Sequence, residues 1–415
     1  MEINAARTVN ELISSVSMAM DIEEGVKLYH GWRVAIGAVR LARALGRQDL
    51  VHNFYGGLLH DVGGVGLPQH LVHYLSERPG SPQHDERAME PAVISHPLLS
   101  AEIVSSLPGI DDAARAVLNH HEDWNGHGFP RGLHDTEISV GAQILHASDT
   151  ADLMLRDDPP PSLDQMAERV AELAAAQLAP DIAECLIEEL RAGLYDNLMD
   201  SAGLTWLFET VRGEVGDIPV ERGVDAIGVT LDVLSRVVDN KHPYTIGHSR
   251  RVARYALLIA IAMGLEHDEL TLLKWAALIH DVGKLSVPVR TLNKPSKLSA
   301  EEYDAVQFHV SYTFDIVSAI TDLRPAAVIA GTHHEHHDGS GYPLGRAGEE
   351  IPLGGRILAV ADAFDAMTSS RPYRSVNDVN TACEELERGA GTQFEPQVVR
   401  IAVPVLRNLG LIIID

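Results

Sequence analysis

Apolar residues recur at spacings of three and four positions along most of the chain. The pattern is clear over residues 231–238, 252–263, 270–279 and 398–405. A period near 3.6 residues is typical of amphipathic α-helices, and the strict alternation typical of strands is scarce. Gly and Pro cluster around Pro68, at 159–161 and at 339–354, which indicates loops between helices. The sequence therefore predicts an all-α protein.

The chain contains an internal repeat. Five segments of the first half recur in the same order in the second half: HGWRVAIGA as HSRRVARYA, LLHDVGG as LIHDVGK, HPLLSAEIVSSL as HVSYTFDIVSAI, HHEDWNGHGFP as HHEHHDGSGYP, and ILHASDTADLM as ILAVADAFDAM. His30 and His248, which begin the first pair, are 218 residues apart, and the later pairs keep nearly the same offset. Matches in constant order and spacing predict a duplicated domain. We expect one copy in 1–201, a linker in 202–224 and the second copy in 225–415.

Composition and charge exclude several classes of protein. The 415 residues carry 33 basic and 59 acidic side chains, and the formal charge of -26 would repel nucleic-acid polymers and anionic lipid surfaces. Two cysteines cannot build a disulfide framework, so a reducing cytoplasm is expected. The N-terminus lacks the pattern of a signal peptide, and the longest apolar run, near 255–265, is too short to span a bilayer.

Histidine changes the picture, because the chain has 21 of them beside many carboxylates. The polar positions of the second copy that also occur in the first are His248, His280, Asp281, His309, His333, His334 and Asp362. Five imidazoles and two carboxylates are more ligands than one metal ion needs. Two adjacent ions with a bridging carboxylate would use the set, and such a pair supports in-line displacement at phosphorus. The pattern predicts phosphoester hydrolysis.

The same residues carry a family resemblance. LIHDVGK, His309, HHEHHDGSGYP, ILAVADAFDAMTS and RPYR resemble the HD-GYP family, a branch of the HD metal-dependent phosphohydrolases. The likeness spans about 231–405 and is most specific in DGSGYP at 338–343. It implies an all-helical bundle of the HD type, which the repeat makes tandem, and hydrolysis of cyclic di-GMP or cyclic GMP-AMP. We expect a linear dinucleotide as the product, and whether hydrolysis continues to mononucleotides stays open.

The resemblance also implies roles for individual residues. The seven positions of the second copy become ligands of two divalent ions, iron or manganese, with Asp281 as the bridge and a metal-bound hydroxide as the nucleophile. Lys284 would face a substrate phosphate, and Tyr342 would contact substrate or a signalling partner at the GYP loop. Arg371 and Arg374 would bind phosphates or guanine edges through their planar guanidinium groups. Tyr244 stands where some members have a Glu for a third metal, so two metals are expected, with Asp365 supporting the ligands from behind.

The first copy keeps the matching ligands but departs around them. The retained positions are His30, His60, Asp61, His96, His120, His121 and Asp149. Gly64 replaces the lysine of HDVGK, Asn125 and Phe129 replace the Asp and Tyr of DGSGYP, and RPYR has no counterpart. Buried ligands without metal would be costly to desolvate, so their retention favours a second metal site. We expect a regulatory or structural role for this copy rather than an independent active site.

Three functions compete at this point. The leading hypothesis is a cyclic dinucleotide phosphodiesterase in which Asp281 and Lys284 are catalytic. The alternative is a receptor that binds a cyclic dinucleotide or metal and reports it without turnover. A third possibility is an HD-type enzyme with another substrate, which the DGSGYP element disfavours for the second copy. The choice between the two cyclic dinucleotides, between iron and manganese, and the oligomeric state stay open.

Overall fold

The computed structural model describes residues 3–23, 26–67, 69–75, 91–157, 159–194, 198, 200–221, 225–242, 245–369 and 378–412. The fold is all-α, as predicted, apart from a two-residue antiparallel pairing of β1 (Ile22–Glu23) with β2 (Val26–Lys27). The chain divides into two compact units: Ala5–Ala226, called the first unit, and a second unit of which Ile227–Asp415 is the main part. In the part of the chain that the structure describes, no helix combines the length and apolar character needed to cross a bilayer.

The first unit contains ten helices among its described residues. They are α1 (Ala5–Met20), α2 (His30–Ala44), α3 (Leu50–Leu59), α4 (Leu71–Leu75), α5 (Pro91–Ser105), α6 (Ala114–Leu118), α7 (Val140–Met154), α8 (Leu163–Leu173), α9 (Pro180–Arg191) and α10 (Ser201–Val215). Helix α2 is the centre of this unit and packs against α3 and α7. A short 3-10 turn at Val62–Gly64 follows α3.

The second unit repeats this order. Its helices are α11 (Ala226–Asn240), α12 (His248–Met263), α13 (His267–Ile279), α14 (Val289–Leu292), α15 (Ala300–Gln307), α16 (His309–Ser318), α17 (Arg324–Ala330), α18 (Leu353–Thr368), α19 (Val379–Arg388) and α20 (Pro396–Ile412). Helix α12 packs against α13 and α18, as α2 packs against α3 and α7. A 3-10 turn at Val282–Ser286 follows α13. The four apolar patterns read from the sequence lie in α11, α12, α13 and α20.

The stretch predicted as a linker, 202–224, differs from that expectation. Most of it belongs to α10, which begins at the N-cap Asp200 and buries Leu204, Phe208 and Val211. The Phe208 ring stacks on Trp32 of α2 with centroids 3.8 Å apart. Burial of an aromatic ring contributes about 1.5–3 kcal/mol, so α10 is part of the first unit's core. The sequence signal was present in the apolar spacing of these three residues.

Two close backbone contacts position the site. A Cβ on Gly283 would lie 2.0 Å from the His309 carbonyl oxygen, so only glycine lets the 3-10 turn after α13 rest on the start of α16. A Cβ on Gly341 would lie 2.5 Å from the His334 carbonyl oxygen, which lets the DGSGYP loop fold over the end of α17. These glycines hold the turn after α13 against the start of α16, and the DGSGYP loop against the residues that follow α17.

Candidate metal centres

Histidines of the second unit are oriented by their own helical turns. The Nδ1 atoms of His280, His309 and His333 donate to the carbonyls of the residues three positions earlier, at 2.8, 2.5 and 2.6 Å. This hydrogen bond fixes the tautomer that carries the lone pair on Nε2. All three Nε2 atoms are buried and have no hydrogen-bond partner. The backbone therefore leaves the Nε2 lone pair of each of these histidines available to a metal ion.

The Asp281 carboxylate lies between two groups of histidines. Its Oδ1 is 3.4 Å from His309 Nε2, and its Oδ2 is 3.5 Å from His280 Nε2 and 3.6 Å from His248 Nε2. One ligand atom from each of His309, His333 and His334 falls within 4.8 Å of the others, and the same holds for His248, His280 and Asp281. Asp362 Oδ1 lies 3.2 Å from His248 Nε2. The arrangement offers two neighbouring ligand groups joined by one carboxylate.

Metal ions fit this donor set. Buried polar atoms in proteins are almost always paired, and an unpaired one costs about 1–3 kcal/mol. Here three imidazole nitrogens and Asp281 Oδ1 are buried together without hydrogen bonds. Imidazole nitrogens and carboxylate oxygens are the ligands that first-row divalent metals use. The cluster is therefore able to bind metal ions.

Electrostatics keep these donors in their ligating states. Burial lowers the pKa of His280 and His333, and lowers that of His334 to about 3, so these imidazoles are neutral. Burial alone would raise the pKa of Asp281, but Lys284 and the neighbouring histidines hold it well below its usual range. His248 is the exception: burial opposes its charge, yet hydrogen bonds with the carboxylates of the site raise its pKa to about 9.

The residues proposed for substrate contact lie at the edge of the cluster. Lys284 Nζ donates a hydrogen bond to Asp281 Oδ2, and its side chain is 24% exposed. The Tyr342 ring is 4.9 Å from the His334 ring. Arg371, Arg374 and Tyr244 lie outside the described residues. The structure thus places two of the expected substrate residues beside the candidate ligand cluster.

A support network behind His248 has a clear geometry. Asp365 Oδ2 accepts from His248 Nδ1 at 2.8 Å, and the same carboxylate accepts from Arg251 Nε at 2.6 Å. This supporting role is the one predicted for Asp365, whereas no role was predicted for Arg251. The sequence pattern that could have identified this arginine is HxxR, which occurs in both HSRR and HGWR. Each copy also contains a DxxD pattern, DAFD or DTAD, that carries the partner aspartate.

Glu335, for which the sequence predicted no role, holds the DGSGYP loop. Glu335 is buried, and its carboxylate accepts from the backbone N–H of Leu344 at 2.8 Å and of Arg346 at 3.0 Å. Glu122 of the first unit does the same for Arg131 and Leu133, at 2.7 and 2.8 Å. The HHE triplet, which occurs in both copies, is the sequence pattern that could have identified these glutamates.

The first unit assembles its seven repeated positions in the same way. Its two ligand groups are Asp61, His96, His120 and His121, and His30, His60 and Asp149. Asp61 Oδ1 is 3.1 Å from His96 Nε2, while Oδ2 is 3.5 Å from His30 and from His60. The Nε2 atoms of His96, His120 and His121 and both Asp61 oxygens are buried without hydrogen bonds. This cluster too is able to bind metal ions.

Behind the first cluster, Asp152 takes the place of Asp365. It accepts from His30 Nδ1 at 2.7 Å, from Arg33 Nε, and from Arg156 at 3.1 Å. Burial opposes the charge of Asp152, but these cations hold its pKa far below the usual range. The network is more completely buried than its counterpart, since the Arg33 side chain is 7% exposed and that of Arg251 is 37% exposed.

One family model matches the chain twice, once around each cluster. Residues 33–178 and 232–398 both match the HD domain. Each matched range therefore contains one copy of the ligand pattern, except that His30 precedes the first range.

Two relatives and one solved structure are similar to the chain. It is 30% identical over 297 residues to 3'3'-cGAMP-specific phosphodiesterase 3 of Vibrio cholerae, which covers 72% of this chain and 64% of the relative. It is 39% identical over 177 residues to a cyclic di-GMP phosphodiesterase of Thermotoga maritima, which covers 42% of this chain and 48% of the relative. The chain thus spans less than two thirds of each relative.

The crystal structure of a cyclic GMP-AMP specific phosphodiesterase from V. cholerae, V-cGAP3, superposes with a TM-score of 0.63 at 24% identity. The alignment covers 96% of this chain and 97% of that one. A likeness at this identity shows that the two chains share the tandem all-helical fold.

Proposed function

The chain belongs to the HD domain family, as its HD-GYP-like motifs predicted, and we propose that its second unit is a metal-dependent phosphodiesterase for a cyclic dinucleotide. The substrate class is cyclic di-GMP or cyclic GMP-AMP, opened to the linear dinucleotide. The observation that carries the proposal is the Asp281 carboxylate, whose two oxygens face separate groups of histidine nitrogens. The names of similar proteins support the substrate class.

Two divalent ions, iron or manganese, would be held by seven residues of the second unit. The proposed ligands are His248, His280, Asp281, His309, His333, His334 and Asp362. Such ions supply an activated water as nucleophile and neutralise charge on the phosphoryl oxygens. Iron would stay ferrous in a reducing cytoplasm, the compartment that the two free and buried cysteines favour.

The residues around the ligands would bind and orient the nucleotide. Lys284 Nζ lies next to Asp281, where it would meet a phosphate oxygen and offset the negative charge that develops during displacement. His334 and the Asp362 side chain, 17% exposed, are the ligands nearest solvent, so substrate would enter on this side. Tyr342, Arg371 and Arg374 complete the proposed binding surface. Local cations are needed because the formal charge of the chain is -26.

The first unit would hold metal without hydrolysing the nucleotide. It retains His30, His60, Asp61, His96, His120, His121 and Asp149 as proposed ligands. It lacks a counterpart of Lys284, where Gly64 stands. Without that cation the charge that develops at phosphorus is not offset. The first unit is thus proposed to regulate or stabilise the enzyme.

Chromatography of reaction products tests the phosphodiesterase directly. Full-length protein loaded with Mn²⁺, or anaerobically with Fe²⁺, is incubated with cyclic di-GMP and with cyclic GMP-AMP. We expect linear dinucleotide from at least one substrate, no product from Asp281→Ala, and continued product from the matched variant Asp61→Ala in the first unit.

Two outcomes would contradict the proposal. Product formation that survives Asp281→Ala but is lost in Asp61→Ala would move the active site to the first unit. Nucleotide binding without product under both metals would instead support the receptor alternative.

A further inference from the structure

The first cluster has an apolar side chain where the second has its lysine. A Cβ on Gly64 would lie 2.1 Å from Leu71 Cδ1, whereas the matching Lys284 extends its side chain to Asp281. Leu71 is 2% exposed and packs with Leu67 and Val93. Leu71 therefore occupies the space into which a side chain at position 64 would extend, the position that matches Lys284.

The residue before Leu71 anchors this segment beside a proposed ligand. His70 Nε2 lies 3.3 Å from Asp21 Oδ1, and the His70 ring stands edge-on to the His30 ring with centroids 6.0 Å apart. Asp21 Oδ2 accepts from the Gly31 backbone N–H at 2.9 Å. One carboxylate thus joins the start of α2 to the start of α4.

The second unit does not repeat this anchor. Its matching carboxylate, Asp239, accepts from the Ser249 hydroxyl at 2.8 Å and from the Ser249 backbone N–H at 3.2 Å. Ser249 corresponds to Gly31, which has no hydroxyl. The positions that match His70 and Leu71 are Arg290, which is exposed, and Thr291. The anchor through Asp21 and His70 is therefore a property of the first unit, and the second unit holds the corresponding segment through a contact of His242 with Asn293.

Two of the proposed ligand positions are more buried in the first unit than in the second. Asp149 has 2% of its side chain exposed, whereas Asp362, its counterpart, has 17% exposed. His121 is buried and its counterpart His334 is partly exposed. Two positions that are partly exposed in the second cluster are therefore buried in the first, although the Asp61 side chain, at 9% exposed, is not more buried than that of Asp281, at 4%.

We propose that His70, Leu71 and Val72, here called the cap, seal the first cluster, so that it retains divalent metal ions that exchange slowly and excludes cyclic dinucleotides. The proposal rests on the metal-binding part of the function proposed above, and not on hydrolysis. Release of a sealed ion requires local opening of the cap, which is held by the Asp21–His70 contact and by burial of Leu71 and Val72.

Chelator chase of the full chain tests the cap. Protein loaded with Mn²⁺ is mixed with excess EDTA, and metal that stays with the protein is measured over time by mass spectrometry. We expect a fast phase that Asp281→Ala removes and a slow phase that Asp61→Ala removes. His70→Ala and Leu71→Thr should each accelerate the slow phase by about tenfold, because local opening limits release. The matched change Thr291→Ala should leave the slow phase unchanged.

The fast phase serves as an internal control for folding, since its rate in the cap variants should equal that of the wild type. If one cap variant also lost the fast phase, the second would still test the cap. His70→Ala removes the contact with Asp21, and Leu71→Thr removes the apolar side chain. Titration calorimetry with cyclic di-GMP should give one nucleotide per wild-type chain. A single fast phase in the wild type, no metal lost on Asp61→Ala, unchanged slow release in both cap variants, or two nucleotides per chain would each overturn the proposal. A chain that lacked hydrolysis but showed two phases would contradict only the phosphodiesterase.

Discussion

The two units carry the same seven ligand positions in different surroundings. In both, an aspartate presents one oxygen to each group of histidines, at 3.1–3.5 Å in the first unit and 3.4–3.6 Å in the second. Lys284 donates a hydrogen bond to that aspartate in the second unit, whereas in the first unit Gly64 takes the place of the lysine and Leu71 packs against it. Backbone carbonyls orient six of the ten histidines at these positions, so the arrangement of the candidate ligands is kept while a few residues around them differ.

The largest expected effect concerns the buried carboxylates behind the clusters. Asp152→Ala would leave Arg33 and His30 buried without their partner, and breaking a buried ion pair costs about 3–5 kcal/mol in the free energy of unfolding. Asp365→Ala should cost less, because Arg251 is 37% exposed on its side chain and can be hydrated. Denaturant unfolding of the metal-free variants, followed by fluorescence, measures both.

Equal losses for the two variants would show that burial does not distinguish the networks. As a control, Asp232→Ala removes the partner of Arg250 in an ion pair whose side chains are 34% and 47% exposed. This change should alter the free energy of unfolding by about 0.2–1 kcal/mol.

The next effect concerns the cation beside Asp281. Lys284→Met should lower the turnover number by about 10²–10³-fold, because it removes a positive charge from the place where negative charge develops. Metal content should stay at the wild-type level, since Lys284 is not among the proposed ligands. Product chromatography and mass spectrometry measure these two quantities on the same sample. Lys294→Met, which removes a lysine paired with Glu302, is the matched control and should retain wild-type turnover.

A smaller effect on stability is expected when Glu335 or Glu122 is changed, because each holds one loop through two backbone N–H groups. Glu335→Gln replaces an acceptor of two backbone N–H groups and should weaken the loop by about 1–3 kcal/mol. Because the loop carries Tyr342, we expect a higher KM for the cyclic dinucleotide. Glu122→Gln should cost similar stability without changing KM. Steady-state kinetics decides the matter: a KM increase in both variants would mean that the first unit also contacts substrate.

The smallest effect tests the paired positions 31 and 249. Ser249→Gly removes the hydroxyl that donates to Asp239 and should cost about 0.5–1.5 kcal/mol of stability. Gly31→Ser should cost more than this, because a Cβ there would lie 2.9 Å from Ser17 Oγ and 3.2 Å from the Leu58 carbonyl oxygen. Thermal unfolding of both variants checks this order, and a stabilised Gly31→Ser would refute the packing argument.

Much of the fold was accessible to sequence reasoning for a simple physical reason. The apolar period of 231–238 and 252–263 reflects burial on one helix face, and both stretches lie in helices. The repeat also brought the ligand positions into register, and the structure gathers them into clusters. Their assignment as metal ligands stays a prediction.

Other features depended on contacts that pattern reading does not reveal. Helix α10 was read as a linker because the repeat ended before it, yet Phe208 is buried against Trp32. The place of Leu71 beside Gly64 required three-dimensional information, since a leucine seven residues after a glycine has no distinctive spacing. Arg251 and Glu335 were visible in both copies, but a polar residue near a candidate ligand is usually a surface residue. Only their contacts in the structure distinguish them, Arg251 with Asp365 and Glu335 with two backbone N–H groups.

Six of the ten histidines at the proposed ligand positions donate a hydrogen bond to their own turn of the backbone, and this has an evolutionary consequence. The acceptors for His60, His96, His120, His280, His309 and His333 are backbone carbonyls. No codon change that alters only the side chain at those acceptor positions can remove such a carbonyl, so neighbouring residues are free to drift while the imidazoles keep their orientation. His30 and His248 depend instead on a carboxylate that one nucleotide change can abolish. A duplicated copy can therefore diverge widely around its ligands, and we expect its decay to begin at Asp152 or Asp365.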